Sequence, residues 1–275
     1  MNDSPTLDEL RARVQKQRHR EIGNWLARRV ARPLAIYGTW LAVRLGLSAH
    51  QITVGALIAN LLAAVALGTG ERWGLVLCAL LLHLGFWLDH VDGQVARWRG
   101  TAGLTGVYFD YLMHHVSGMA VGFALGYGLA ARTGVLAWAL AGFLIATGWT
   151  LLGLNNDCRY KAFFQRLKAS QREYRVKGGS GDRPAPAPGW PKRGLGMLSW
   201  PLFKLCEPHV VLMSLTILAV IACFPGHAWS WAWQAYAGSL AFLSPGLALL
   251  RLTRTIQRDR PSSEFERWFQ VVDPD

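Results

Sequence analysis

The stretch Leu88–His115, LDHVDGQVARWRGTAGLTGVYFDYLMHH, decides how this chain is read. It carries Asp89, Asp92, Asp110 and His114, and an apolar run flanks it on each side. Each flank is long enough to cross a bilayer, so the carboxylates fall where two spans meet a loop. Charged groups inside hydrophobic helices are costly and mark a site or an ion pathway. The chain has 17 acidic residues, yet Asp89, Asp92 and Asp110 are the ones this span assignment places at membrane depth.

Helical spacing orders these residues. Asp89, Asp92 and Ala96 recur at i, i+3 and i+7 and share one helix face. Gly106, Asp110, His114 and Gly118 recur every four residues and share another. Two short faces then confront each other, and the small residues leave room for close backbone approach or for a ligand. Three carboxylates within reach of one another repel unless a cation lies between them. Oxygen ligands favour a hard divalent ion, Mg2+ first and Mn2+ or Ca2+ next.

The stretch resembles the signature of the CDP-alcohol phosphotransferases (CDP-alcohol phosphatidyltransferases), D-x2-D-G-x2-A-R-x8-G-x3-D-x3-D. Asp89, Asp92, Gly93, Ala96, Arg97, Gly106 and Asp110 stand at the signature spacing, and His114 stands where the family has a fourth aspartate. The resemblance implies in-line attack by an acceptor hydroxyl on the phosphorus of a CDP-activated alcohol or CDP-diacylglycerol, with CMP leaving. It implies Mg2+ or Mn2+, as two ions, held by Asp89, Asp92 and Asp110, with Gly93, Ala96, Arg97 and Gly106 binding the CDP. Gly93 removes a side chain where cytidine or phosphate must approach. Arg97 offers paired hydrogen bonds to phosphate oxygens. The fourth aspartate is taken in the family as the base for the acceptor hydroxyl. Imidazole is a competent base near neutrality, so His114 is read as base or metal ligand, with a structural role as the alternative. His115 lies about 100° further round the helix and is the weaker candidate. His90 and His83 read as packing or interfacial residues.

Composition agrees with a membrane enzyme. The chain has 275 residues, 52% hydrophobic, with 13 Trp, and polar ends dilute its mean hydropathy to +0.19. A formal charge of +12 suits anionic lipid surfaces or phosphate-bearing substrates, and no recognition motif supports nucleic acid. Cys78, Cys158, Cys206 and Cys223 are scattered without metal-ligand spacing and read as reduced thiols.

The expected architecture is an all-α polytopic membrane protein with six transmembrane helices, at about 51–69, 73–92, 106–130, 134–154, 208–225 and 228–250. The fifth is the shortest. An amphipathic interfacial helix is expected within Leu10–Leu45, with a solvated basic tail as the alternative for residues 1–20. LSAHQIT (47–53) resembles the segment before the family's first span, with Ala49-His50 where Pro-Asn is frequent. Thr53 is read as lining a nucleotide pocket, or Ser48 simply as a helix start. All Lys and Arg except Arg72 and Arg132 lie in the ends, the motif loop and the segment 155–206. The positive-inside rule therefore places both termini and the motif loop in the cytoplasm, in a bacterial inner or plasma membrane. The units are a cytoplasmic or interfacial segment 1–50, a membrane catalytic unit 51–250 with a cytoplasmic loop 155–206, and a cytoplasmic tail 251–275.

Asn155, Asn156 and Asp157 stop the fourth apolar run, and Arg159, Lys161, Arg166 and Lys168 follow at near-helical spacing. Arg159 and Lys161 are the candidates for binding an acceptor that carries a phosphate, with plain membrane anchoring the alternative. Residues 176–194 are rich in Gly and Pro and read as a flexible loop, and 198–209 as a short interfacial segment. The resemblance implies a homodimer working in phospholipid or polar head-group synthesis. A silent scaffold of the same fold and a divalent-cation transporter are the rival readings.

Overall fold

The computed structural model describes residues 5–14, 23–170, 173–177 and 195–272. Among these the chain forms ten α-helices and two short strands. They are α1 (Leu7–Val14), α2 (Arg32–Arg44), α3 (Ala49–Gly68), α4 (Arg72–Arg99), α5 (Leu104–Thr133), α6 (Ala137–Ala169), β1 (Tyr174–Val176), α7 (Leu195–Leu205), α8 (Pro208–Cys223), α9 (Ala228–Gln257), α10 (Arg260–Trp268) and β2 (Phe269–Val271).

Six of these helices, α3 to α6 with α8 and α9, occupy the six stretches expected to cross. By length and apolarity α3, α4, α6 and α9 can span a bilayer, and Ser199–Leu205 with Pro208–Cys223, bent by 64°, form a fifth candidate. α5 is long enough at 30 residues, but Asp110, His114, His115 and its glycines dilute its apolar character. Val65, Leu80, Phe143 and Phe242 point outward, as they would toward lipid. The inner face is a core of Leu67, Leu75, Leu125, Leu129, Ile145, Leu215 and Trp233. Trp233 is fully buried and donates from Nε1 to the carbonyl of Leu125 at 3.0 Å, so its one polar atom is satisfied.

α5 and α6 cross at Gly126 and Gly142. A Cβ on Gly126 would run into the backbone of Gly142 and the carbonyl of Trp138. Backbone atoms cannot step aside as a flexible side chain can. Gly126→Val is expected to lower the unfolding midpoint of the detergent-solubilised protein, at a cost of about 3 kcal/mol or more. Gly246→Ala, where a Cβ meets nothing within 4 Å, should leave it unchanged. Equal midpoints for both variants would refute this account of the crossing.

Before α3, the chain departs from one continuous amphipathic helix. α1 is separate, Gly23 sits at φ +94°, and a π-helical turn (Ala27–Ala31) leads into α2. Pro33 has no N–H for the carbonyl four residues earlier, and the widened turn stands just ahead of it. Residues 15–22 lie outside those described. α2 packs on α4 through Ala35, Ala42, Val91 and Val95. The buried Thr39 hydroxyl donates to Gln94 Oε1 at 2.9 Å across this contact.

The fourth apolar run does not end in a loop at 155. α6 continues to Ala169 because its polar residues find partners. Asn155 accepts from Thr255 at 3.3 Å, and Asn156 accepts from Arg159 and Arg251 at 2.7 and 3.0 Å. Tertiary contacts here outweigh weak local propensity. β1 and β2 then pair antiparallel, Arg175 opposite Gln270, above a cluster of Phe163, Phe265, Phe269 and Tyr174. Of the expected flexible loop 176–194, residues 178–194 lie outside those described.

At the other end of the bundle, Arg72 and Arg132 both stack on Trp229, at 5.9 and 4.1 Å from the ring centroid. Arg132 also donates to Ser230 Oγ at 3.2 Å.

Candidate active site

The site is built where α4 ends and α5 begins. Ser48 and Gln51 form a capping box that starts α3, with Gln51 N donating to Ser48 Oγ and Ser48 N to Gln51 Oε1 at 3.2 and 2.8 Å. α4 is ended by Gly100 at φ +67°, a conformation that favours glycine. Thr101 N donates to the carbonyl of Ala96 at 2.9 Å and Gly100 N to that of Arg97 at 3.3 Å. This closed turn sends the chain back as α5 and brings the two halves of the signature together.

Asp89, Asp110 and His114 converge there. His114 Nε2 lies 3.4 Å from Asp89 Oδ1 and 3.3 Å from Asp110 Oδ1. One ligand atom from each of the three residues lies within 4.8 Å of the others, a set that fits a single divalent cation. Asp92 stands one turn along α4, outside that trio. Its Oδ2 accepts from the Thr53 hydroxyl at 2.6 Å, which ties α3 to the motif.

The remaining signature residues shape the surroundings. A Cβ on Gly93 would meet only the Arg97 guanidinium, at 3.4 Å from Nη1, so the backbone lies open beneath that side chain. Arg97 donates from Nε to the carbonyl of Val14 at 2.7 Å. Ala96 is half-buried beside it, and a Cβ on Gly106 would meet nothing within 4 Å. A groove of about 420 Å³, lined by His50, Gln51, Val54, Thr105, Tyr108 and Phe109, runs between the starts of α3 and α5.

Arg159, expected to face an acceptor, has its outer nitrogens engaged within the protein. Nη1 donates to both carboxylate oxygens of Glu264 at 2.6 and 2.7 Å, and Nη2 to Asn156. Lys161 is exposed. His115 pairs with Asp157 at 2.6 Å, a contact across 42 residues that no local pattern announces. His83 meets Thr216 at 2.9 Å, and His90 Nδ1 meets the carbonyl of Phe86 at 2.8 Å, so both pack within or between helices.

These features define a polytopic helical membrane protein with a carboxylate–imidazole site at one end of its bundle. Residues 47–171 match the family model described as CDP-alcohol phosphatidyltransferase. Among solved structures the chain is similar to the phosphatidylinositol phosphate synthase of Mycobacterium tuberculosis with CDP-DAG bound. The two are 20% identical at a TM-score of 0.52, over 82% of this chain and 92% of that one. No curated protein matches the chain. The whole signature stretch lies within the matched residues 47–171, with His114 at its last position.

Proposed function

We propose that this protein transfers a phosphatidyl or phospho-alcohol group from a CDP-activated donor to an acceptor hydroxyl, releasing CMP, in phospholipid or polar head-group synthesis. The observation that carries this reading is the convergence of Asp89, Asp110 and His114 at the signature spacing. In the reaction the acceptor oxygen forms a bond to phosphorus, the bridging P–O bond to CMP breaks, and the hydroxyl proton passes to a base.

Asp89, Asp110 and His114 would hold the divalent cation, with the Asp92 carboxylate contributing from one turn away. Such an ion, Mg2+ or Mn2+, neutralises the pyrophosphate and polarises the phosphorus under attack. Thr53 orients Asp92. Gly93, Ala96 and Gly106 leave space for CDP, and the outer nitrogens of Arg97 receive a phosphate. We favour CDP-diacylglycerol as donor, because the similar structure binds it and the groove beside Gly106 is apolar. Lys161, which is exposed, is the candidate retained for an acceptor phosphate, whereas Arg159 would first have to leave Glu264. A homodimer with both termini and the motif loop in the cytoplasm completes the reading. Its units are the segment 1–50, the membrane unit 51–250 and the tail 251–275.

The test is CMP release by the purified protein with Mg2+ or Mn2+. CDP-diacylglycerol with small alcohols is supplied in one series, and soluble CDP-alcohols with lipid extract in another. Metal-dependent CMP from one donor class is the expected result. No CMP from any donor, in folded protein, would overturn the reading in favour of the silent scaffold that the His114 departure suggests.

A further inference from the structure

α1 is an eight-residue helix, and a helix this short does not hold its shape alone. It is nevertheless well built. Thr6 N donates to Glu9 Oε2 at 2.8 Å and Glu9 N to Thr6 Oγ1 at 3.3 Å, a capping box that satisfies two otherwise unpaired donors. Leu10 and Val14 are completely buried, in a cluster with Ile36, Trp40 and Trp98. Arg13 stacks over Trp98 at 4.9 Å. The apolar face of α1 is thus anchored to α2 and to the end of α4, next to the signature arginine.

The last carbonyls of a helix lack partners within it. The carbonyl of Val14 finds one in Arg97 Nε, at 2.7 Å across 83 residues. A guanidinium is planar and rigid, so holding Nε sets the plane and direction of the two outer nitrogens. Those nitrogens lie over Gly93, 3.4 and 4.0 Å from where a Cβ would be. Arg97 also lies within electrostatic reach of Asp92 and of Arg32 from α2.

We propose that α1 is a positioning element for Arg97: through the Val14 carbonyl it aims the guanidinium fork over Gly93, and so sets the affinity for the diphosphate of the donor. This rests on the reading of Gly93 and Arg97 as donor-binding residues. The N-terminal segment then acts on donor binding without touching the donor, and its loss raises KM for the donor while leaving kcat close to its original value.

The experiment is calorimetric titration with CDP in the presence of Mn2+. It compares the wild type, a chain lacking residues 1–14, Leu10→Asp, Arg97→Lys, and Leu10→Asp combined with Arg97→Lys. Removing α1 is expected to weaken CDP binding about tenfold, the scale of one charge-assisted hydrogen bond. Leu10→Asp should do the same in the wild type and add nothing in the Arg97→Lys background, since lysine has no planar fork to aim. If the shortened chain does not fold, Leu10→Ala takes its place with a smaller loss expected. Unchanged CDP binding without α1, or an equal loss from Leu10→Asp in both backgrounds, would overturn the proposal alone. A wild type that binds no CDP would overturn it together with the donor-binding reading.

Discussion

Asp89→Asn is expected to lower metal-dependent CMP release by about three orders of magnitude. The carboxylate stands on α4 opposite Asp110 on α5, with His114 Nε2 within 3.4 Å, so in the proposed reading it would close the ligand set from the α4 side. An amide keeps the shape and the neutral hydrogen bonding but removes the charge that offsets a divalent cation. The measurement is initial CMP release together with direct Mn2+ binding by electron paramagnetic resonance, on protein that elutes as the wild type does. Both signals should fall together. A loss under tenfold, or full Mn2+ binding with no activity, would remove Asp89 from the role of ligand.

His114 should set the metal preference. An imidazole in place of a carboxylate makes the donor set softer, favouring Mn2+ over Mg2+ relative to an all-oxygen site. His114→Asp restores the family signature and is expected to move the ratio of Mg2+ to Mn2+ affinities toward Mg2+ by tenfold or more, within the range of about 10–100-fold seen for changes around metal ligands. His114→Ala should weaken Mn2+ binding itself. Competition between the two ions, followed by the Mn2+ signal, reads this without turnover. If His114→Ala instead leaves Mn2+ affinity intact while kcat collapses, His114 is the base that takes the acceptor proton. If neither changes, the residue is structural.

Much of the candidate site is legible in the sequence because its signal is local. Asp89, Asp92 and Ala96 lie within about two turns of one helix and Gly106, Asp110 and His114 within little more than two turns of the next, and the Gly100 turn between them is short enough to force the two faces together. The same periodicity located the apolar helices. What stayed hidden depends on partners far along the chain. Asn155, Asn156 and Asp157 look like helix stops in isolation, but Thr255, Arg251 and His115 satisfy them and α6 runs on. Arg159 looks like a free cation until Glu264, 105 residues away, is brought beside it. The Val14 carbonyl leaves no trace in sequence at all, since any residue there supplies the same atom. The two strands are three residues each, too short for an alternating pattern to stand out.

The length of α6 has a mechanical consequence. Its 33 residues extend about 50 Å, whereas a hydrocarbon layer is about 30 Å thick. Several turns therefore stand clear of the lipid as a rigid mast, and the β1–β2 ribbon is rigged to its outer end through Phe163 and the aromatic rings beside it. Because a helix turns about 100° per residue, the mast transmits rotation as well as height. One residue added between Leu154 and Arg159 would swing Phe163 off its aromatic seat and pull Arg159 from Glu264. The reach of the ribbon above the bilayer is thus geared to the number of residues in that mast, and whatever meets the ribbon does so at a fixed stand-off from the carboxylates below.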